Sequence, residues 1–390
     1  MAVSVDNRPS RFRAGLAAVL TVLILVPTGL LFLRVWQQNQ DERDHTKQEQ
    51  QGVEYLTALS PLVSALAEAQ SSALQNIPEP PAALTAAVAQ ISAVDQRLGE
   101  SLGTRERWTG LRDKIGRLPA VAGNPIQIFQ AHVEVTDLSL ALYDSVLDNS
   151  GLSRDPDNDV AHLQDALGAD LPGTVVQVSR MGDLSLLVAN ITGTAREQAQ
   201  AQQILAPQFG AAVQAVNTNV SRLTDNLQAA VDDTQSTTLS GSLVTTVDGF
   251  RRGVEAFIRG ASPGGTAKPN SAAMATAQSQ LQTSLSSLSG VLVRETNGLL
   301  SDRLDELDSK RLQALVLAGA AVLLGLAAII VPLTGRRRAT EQPPAGPDNG
   351  RGMHVGPGGS DNYGNSHFDP SSSFGDEVHP TRRERSGALR

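Results

Sequence analysis

The sequence predicts an all-α protein: a membrane-anchored, elongated helical bundle between two transmembrane helices, followed by a disordered C-terminal tail. Three observations lead to this fold class. Two segments without a charged residue, 14–33 and 312–335, are each long enough to cross a bilayer. Between them, apolar residues recur at steps of three and four, as they do on one face of a helix. No stretch shows the alternating, β-branched pattern that predicts a strand.

Arginines around the two spans predict the topology. Arg11 and Arg13 lie in residues 1–13, before the first span, and Arg336, Arg337 and Arg338 directly follow the second. Basic residues accumulate on the cytoplasmic side of membrane helices, so both termini are predicted to be cytoplasmic. Residues 34–311 then form an extracytoplasmic domain of a two-pass protein of the inner membrane. A cleavable signal peptide is the alternative for the first segment, although its apolar run is long and no clear cleavage motif follows.

The segment between the spans divides into helices in chain order. The first continues the first span, carries an apolar stripe from Val53 to Leu66, is kinked or restarted at Pro61, and ends at the break IPEPP. The helices that follow are predicted at 82–98, 104–118, 126–148, 174–206, 208–232, 243–259 and 272–311. The helix at 174–206 is expected to end at Pro207, and the last helix runs straight into the second span.

The lengths of these helices predict an elongated bundle. The first and last helices continue the spans and should therefore lie side by side and antiparallel, and a run of about 35 residues is about 50 Å long. Two four-helix modules stacked end to end would satisfy these lengths, and a homodimer through the bundle is compatible with them. The tail, 336–390, is rich in Pro, Gly and Ser and has too few aromatic residues for a core, so we expect it to be disordered.

The stretch GLSRDPDNDVAHLQDALGADLPG, residues 151–173, concentrates three aspartates at its start. We interpret it as a helix start, with Asp155 as the cap, Pro156 at the first position, and Asp157 and Asp159 favoured by the helix dipole. LPG is expected to end this helix. An EF-hand is disfavoured because the required glycine and glutamate are absent, and a weak metal site that includes His162 is the remaining alternative.

This stretch resembles a segment of the helical extracytoplasmic sensor domains of bacterial methyl-accepting chemotaxis receptors and sensor histidine kinases. The pattern D-P-D-x-D followed by L-x-x-A-L and L-P carries the resemblance, together with GVEYLTAL at 52–59, which is similar to the first-helix segment G-x-x-Y-L. Val160, Ala161 and His162 replace a usual serine and tyrosine pair, and EAQS at 68–71 stands where a His-Arg pair is common. The resemblance therefore implies the sensor architecture, without the family's ligand site.

Composition and motifs argue against an enzyme. The chain has no cysteine, which excludes disulfides, thiolate metal sites and cysteine nucleophiles. The loop GASPGGTAK lacks the ending of a P-loop, and no G-x-S-x-G or H-E-x-x-H occurs. His132 and Glu134 are spaced so that they point to different helix faces. The net charge of −8 gives no support to nucleic-acid binding, and no cofactor or metal is predicted.

The sequence is compatible with two functions. The first is a sensor-like membrane protein that binds a ligand or a partner with its extracytoplasmic bundle. Nothing after the second span resembles a kinase ATP site, a methylation helix or a cyclase, so such a sensor would signal through a receptor or kinase partner. The second is a structural or scaffold protein of the bacterial cell envelope, with the bundle as a spacer. The excess of arginine over lysine is typical of a GC-rich bacterial genome.

Overall fold

The computed structural model describes residues 10–77, 80–121, 123–155, 158–233, 237–261 and 271–334. Nearly all of these residues are helical and none lies in a strand, which confirms the all-α class. The α-helices are α1 (Ser10–Leu74), α2 (Ala82–Leu98), α3 (Arg105–Arg117), α4 (Pro125–Ser150), α5 (Asn158–Asp165), α6 (Leu171–Ala189), α7 (Ala195–Asp233), α8 (Thr237–Ala261) and α9 (Ser271–Thr334). The predicted disordered tail, 336–390, lies outside the described residues.

Two helices, α1 and α9, are much longer than the others. They have 65 and 64 residues, and α1 is therefore about 100 Å long. Each includes a segment long and apolar enough to cross a membrane, with exposed side chains such as Leu23 and Leu324. The two helices run antiparallel, because residue numbers rise along α1 as they fall along α9: Arg43 pairs with Asp308, and Ser60 lies next to Ser289.

The helical bundle is organised around α1. Toward the first half of the chain, Glu54 of α1 pairs with Arg97 of α2, and Gln48 donates to the carbonyl of Asn149 in α4. Toward the second half, Gln70 of α1 donates to Asp183 of α6, and the hydroxyl of Ser60 lies 3.3 Å from that of Ser289 in α9. The same stretch of α1 thus contacts helices of both halves of the chain. The two groups of helices therefore lie side by side along α1, and the expected end-to-end stacking is wrong.

The burial of α1 explains this arrangement. The sequence pattern predicts one apolar stripe, but the buried residues between 53 and 69 lie on most sides of the helix. They are Val53, Tyr55, Leu56, Ala58, Leu59, Leu62, Val63, Ala65, Leu66, Ala67 and Ala69. A helix that is apolar nearly all round is stable only inside other helices. Small alanines among the leucines extend the apolar surface beyond the stripe.

Prolines are tolerated within helices at two places where a break was expected. Pro61 lies inside α1, which continues through it without a restart. Pro207 lies inside α7, and the helix predicted to end there continues to Asp233. Both prolines are exposed, so the carbonyl that each leaves without a helical donor can bind water.

The chain breaks instead at 190–194, where no break was predicted. Gly193 has φ of 116°, a conformation that favours glycine. Thr194 then caps α7 reciprocally: its backbone N–H donates to Glu197 Oε2 at 2.8 Å, and the N–H of Glu197 donates to Thr194 Oγ1 at 3.4 Å. This is a capping box, and its T-x-x-E pattern is readable in the sequence.

The helix that follows the aspartate-rich stretch is also longer than expected. A π-helical turn, Ala166–Asp170, connects α5 directly to α6, so LPG begins α6 and does not end a helix. Pro172 follows the turn in which the regular hydrogen-bond pattern is already altered, so its missing N–H is tolerated. Val160, Leu163 and Leu167, spaced at i, i+3 and i+7, are buried and turn one face of this helix to the core.

The remaining predicted helices are confirmed. The helix at 82–98 is α2, the helix at 104–118 is α3 with a 3₁₀ turn after it, and the helix at 126–148 lies within α4. Asn124 and Gln127 form a capping box at the start of α4, with Pro125 in the first turn. The last predicted helix continues into the second span as α9.

Candidate functional site

Close backbone approach brings α1 and the end of α4 together in the part of the bundle nearer the candidate spans. A Cβ at Gly52 of α1 would lie 2.4 Å from Ser150 Oγ, so only glycine lets the end of α4 approach this closely. Gly151 has φ of 83°, ends α4, and packs against the ring of His45. The chain then turns toward α9 at Asp155. Gly52 and Asp155 belong to GVEYLTAL and DPDND, the two segments that carry the resemblance to sensor domains.

Four side chains form a polar group at this junction, which we call the Arg303 cluster: Glu49, Asp155, Gln164 and Arg303. Arg303 Nη2 donates to Asp155 Oδ1 at 2.7 Å, and Nη1 donates to Asp155 Oδ2 at 3.1 Å and to Glu49 Oε2 at 3.2 Å. Gln164 Nε2 donates to Asp155 Oδ2 at 3.0 Å. One arginine of α9 thereby holds α1 and the start of the α5–α6 segment.

The acids of the Arg303 cluster are buried. The side chains of Glu49 and Asp155 are 1% and 0% exposed, and that of Arg303 is 17% exposed. The two buried carboxylates both accept hydrogen bonds from the guanidinium of Arg303. His45 Nδ1 lies 3.6 Å from Glu49 Oε1, and its side chain is 47% exposed.

A second buried acid lies at the other end of the bundle. Asp183 of α6 is fully buried and accepts hydrogen bonds from Gln70 Nε2 at 2.7 Å and from Ser71 Oγ at 2.6 Å. Burial raises the pKa of Asp183 to about 6, and the bonds from Ser71 and Gln70 oppose that rise. Gln70 and Ser71 belong to EAQS, so this departure from the family pattern ties α1 to α6.

A third buried acid, Asp170, ties the same segment to α7. Arg222 Nε lies 3.3 Å from Asp170 Oδ1, and Asn226 Nδ2 donates to Oδ2 at 2.7 Å. Burial raises the pKa of Asp170, while Asn226 and then Arg222 lower it. Asp155, Asp170 and Asp183 thus connect the α5–α6 segment to α9, α7 and α1 respectively. Sequence reasoning missed this role, although acids within an apolar helix are a readable signal.

Tyr55 gives the G-x-x-Y-L segment a structural role. Its hydroxyl donates to Asp95 Oδ1 of α2 at 2.9 Å, and Thr104 Oγ1 donates to the same oxygen at 2.8 Å. Burial raises the pKa of the Tyr55 hydroxyl, which therefore stays protonated. The segment holds α1 against α2 through Tyr55 and against the end of α4 through Gly52.

The predicted site residues are distributed as follows. Asp155 lies in extended backbone three residues before the start of α5. Its capping role stays a prediction, because Pro156 and Asp157 lie outside the described residues, as does the side chain of Asp159. What the sequence did not indicate is the contact of Asp155 with Arg303.

The remaining predicted residues are the topology anchors and the histidine of the alternative metal site. Arg11 and Arg13 belong to α1, although their side chains are not described, and Arg336, Arg337 and Arg338 are outside the described residues. His162 Nδ1 lies 3.3 Å from Asn226 Oδ1. Within the described part of the chain, no group of three His, Cys, Asp or Glu side chains is arranged to hold a metal ion.

In comparisons with known proteins, no family model matches the chain, and neither a curated protein nor a solved structure matches it. The resemblance to sensor domains therefore stays an expectation that rests on the residues quoted for it. The feature of this chain that bears most directly on function is the set of polar contacts between α1, α9 and the α5–α6 segment.

Proposed function

We propose that this chain is a two-pass protein of the inner membrane that senses a ligand or a partner with its extracytoplasmic helical bundle. It acts as a receptor component rather than as an enzyme. A change in the bundle passes through α1 and α9 to the membrane and from there to a neighbouring receptor or kinase. Both termini are cytoplasmic in this proposal, in line with the arginines at the ends of the candidate spans.

One observation carries the proposal: α1 and α9 each form a single helix that includes both a candidate span and part of the bundle core, and Arg303 joins them close to those spans. Arg303 also holds Asp155, so a displacement of the α5–α6 segment acts on the contact between α1 and α9. Buried ionic groups of this kind have discrete arrangements, which is what a switch requires. A spacer protein would not require a buried ionic junction between α1, α9 and the α5–α6 segment at this position.

Movement of the spans in response to the junction tests the proposal. Because the native chain has no cysteine, spin labels can be attached at Leu20→Cys of α1 and Ile330→Cys of α9 without background labelling. We expect Asp155→Asn to change the distance between the labels in lipid bilayers by about 1–2 Å or more, the scale of helix shifts in switching proteins. The exposed pair Arg43–Asp308 provides the matched control, and Arg43→Met should leave the distance unchanged.

The opposite outcome would favour the scaffold function. If Asp155→Asn and Arg43→Met give the same distance as the native chain, the bundle does not communicate with the spans. Orientation has its own test, because alkaline phosphatase fused after Gly151 should be active and the same enzyme fused after Arg390 should not. The reverse pattern would invert the topology without affecting the argument about the junction.

A further inference from the structure

A cavity lies at the end of the bundle far from the candidate spans. It has a volume of about 340 Å³ and is lined by the last turns of α1, the link to α2, the 3₁₀ turn after α3, and α4. Ser72 and Ala73 of α1 and Ile128 and His132 of α4 are among its walls. This size is within the range of small-molecule sites in proteins.

His132 lines this cavity, and one nitrogen of its ring lacks a protein partner. The residue is 4% exposed, and its Nδ1 is buried without a hydrogen-bond partner among the described residues. Burial lowers the pKa of His132 to about 4, so the ring is neutral at pH 7. An unpaired buried nitrogen is costly, and polar groups of this kind in native proteins call for an explanation.

The walls of the cavity determine what can bind there. Among the described residues that line it, none carries a charged side chain, and leucine, isoleucine, alanine and proline predominate. A charged ligand would lose its hydration without gaining a counter-charge from these residues. A neutral molecule with an apolar body would bury that body and offer one group to the imidazole of His132.

We propose that this cavity binds a small neutral molecule with an apolar body and one hydrogen-bonding group, which pairs with His132. We further identify this molecule as the class of ligand that the bundle senses, a step that rests on the proposed function. The position fits such a role because Ser72 and Ala73 directly follow Gln70 and Ser71, which bind Asp183. An occupant therefore presses on the turn of α1 that holds α6.

Four small probes of nearly equal size test the ligand class: benzyl alcohol, toluene, benzoate and benzylamine. We expect the full chain in detergent to bind benzyl alcohol saturably, with a Kd on the order of 1 mM, as its few heavy atoms allow. Toluene, benzoate and benzylamine should bind at least about tenfold more weakly, because each lacks the hydrogen-bonding group or carries a charge. Titration calorimetry gives the affinities, and ¹⁵N-histidine labelling shows whether the His132 resonance shifts on binding.

Three variants locate the binding. His132→Phe should remove the preference for benzyl alcohol over toluene, and Ala73→Leu, which reduces the cavity without changing His132, should weaken both probes. His162→Phe is the matched control, since His162 lies away from the cavity against Asn226, and it should bind benzyl alcohol as the native chain does. Circular dichroism shows whether each variant keeps its helices. If His132→Phe does not fold, weaker binding of both probes by Ala73→Leu still locates the site in this cavity.

Several results would overturn the proposal. They are non-saturable uptake of benzyl alcohol, equal affinity for benzoate, and unchanged binding in both cavity variants. The failure of the two proposals can be told apart. If benzyl alcohol binds at His132 while the spans do not respond to Asp155→Asn, the site stands and the sensor function fails. If the spans respond but benzyl alcohol does not bind, the sensor function stands and this ligand class is wrong.

Discussion

Replacing Arg303 with methionine should strongly destabilise the bundle. Methionine keeps much of the length of the side chain but removes the positive charge of Arg303 and the hydrogen bonds that it donates to Glu49 and Asp155. Glu49 and Asp155, whose side chains are 1% and 0% exposed, would lose their ion pairs with Arg303 while staying buried. Breaking a buried pair in this way costs about 3–5 kcal/mol. At about 2 °C per kcal/mol for a domain of this size, Tm should fall by about 6–10 °C.

Thermal unfolding of the full chain in detergent, followed by circular dichroism, measures this effect. Arg43→Met is the control, because its partner Asp308 is half-exposed and the pair should contribute less than about 1 kcal/mol. Combining Arg303→Met with Glu49→Gln and Asp155→Asn removes all three charges and should restore much of the lost stability. If Arg303→Met is as mild as Arg43→Met, the acids are not held by Arg303 and the reasoning fails.

The same melts separate two roles of Asp155. If Asp155 is only a helix cap, Asp155→Asn should cost far less than Asp155→Ala, because asparagine keeps the capping oxygen. If its charge is held by Arg303, Asp155→Asn should itself cost about 1.5–3 kcal/mol, the range for hydrogen bonds to charged groups. We expect the second result, with Asp155→Ala more harmful still.

Two further predictions concern pH and close packing. The pKa of His132 is lowered to about 4, so the unfolded chain binds a proton before the folded chain as pH falls below 6.5, and His132 costs stability in that range. The pKa of Asp183 is raised to about 6, so the folded chain binds a proton first between pH 6 and 3.8, which adds stability. Each contribution to the free energy of unfolding is about 3 kcal/mol. In urea unfolding, the Asp183→Asn variant should therefore lose stability steeply from pH 6.5 to 4, whereas the His132→Gln variant should gain stability between pH 6 and 4. Parallel stability profiles of the two variants would contradict both assignments. Gly52→Ala should cost about 1–3 kcal/mol by overpacking against Ser150, whereas Gly110→Ala, which meets nothing within 4 Å, should stabilise by about 0.5–1 kcal/mol; equal melting temperatures would refute the close approach at Gly52.

The helices were predictable where local signals agree. Residues 82–98 form a helix because a proline-rich break precedes an uninterrupted run of helix-forming residues, and periodicity suffices to find it. The predicted end of a helix at Pro207 was wrong. The cost of a proline within a helix depends on whether the carbonyl that it leaves without a donor reaches water, and this depends on the tertiary structure. The break at 190–194 was readable as the capping box of Thr194 and Glu197, but the apolar run across it masked that signal.

The Arg303 cluster could not be predicted from the sequence. Arg303 and Asp155 are separated by 148 residues, and each has an ordinary local explanation, as a charge on a helix and as a cap. Only the side-by-side packing around α1 brings them together. That packing was missed because a single apolar stripe was expected on α1, whereas its alanines extend the apolar surface around the helix.

Because α1 is one continuous helix, the number of residues between its membrane segment and the bundle fixes how the two are rotated relative to each other. One residue inserted between Trp36 and His45 would turn the membrane segment by about 100° relative to the bundle and shift it by about 1.5 Å. Leu25 would then face away from Gly325, which it now contacts closely in the candidate spans. Seven inserted residues would make two turns and misalign the faces by only about 20°. Changes in the length of this segment should therefore be tolerated in steps of seven, matched by equal steps in α9.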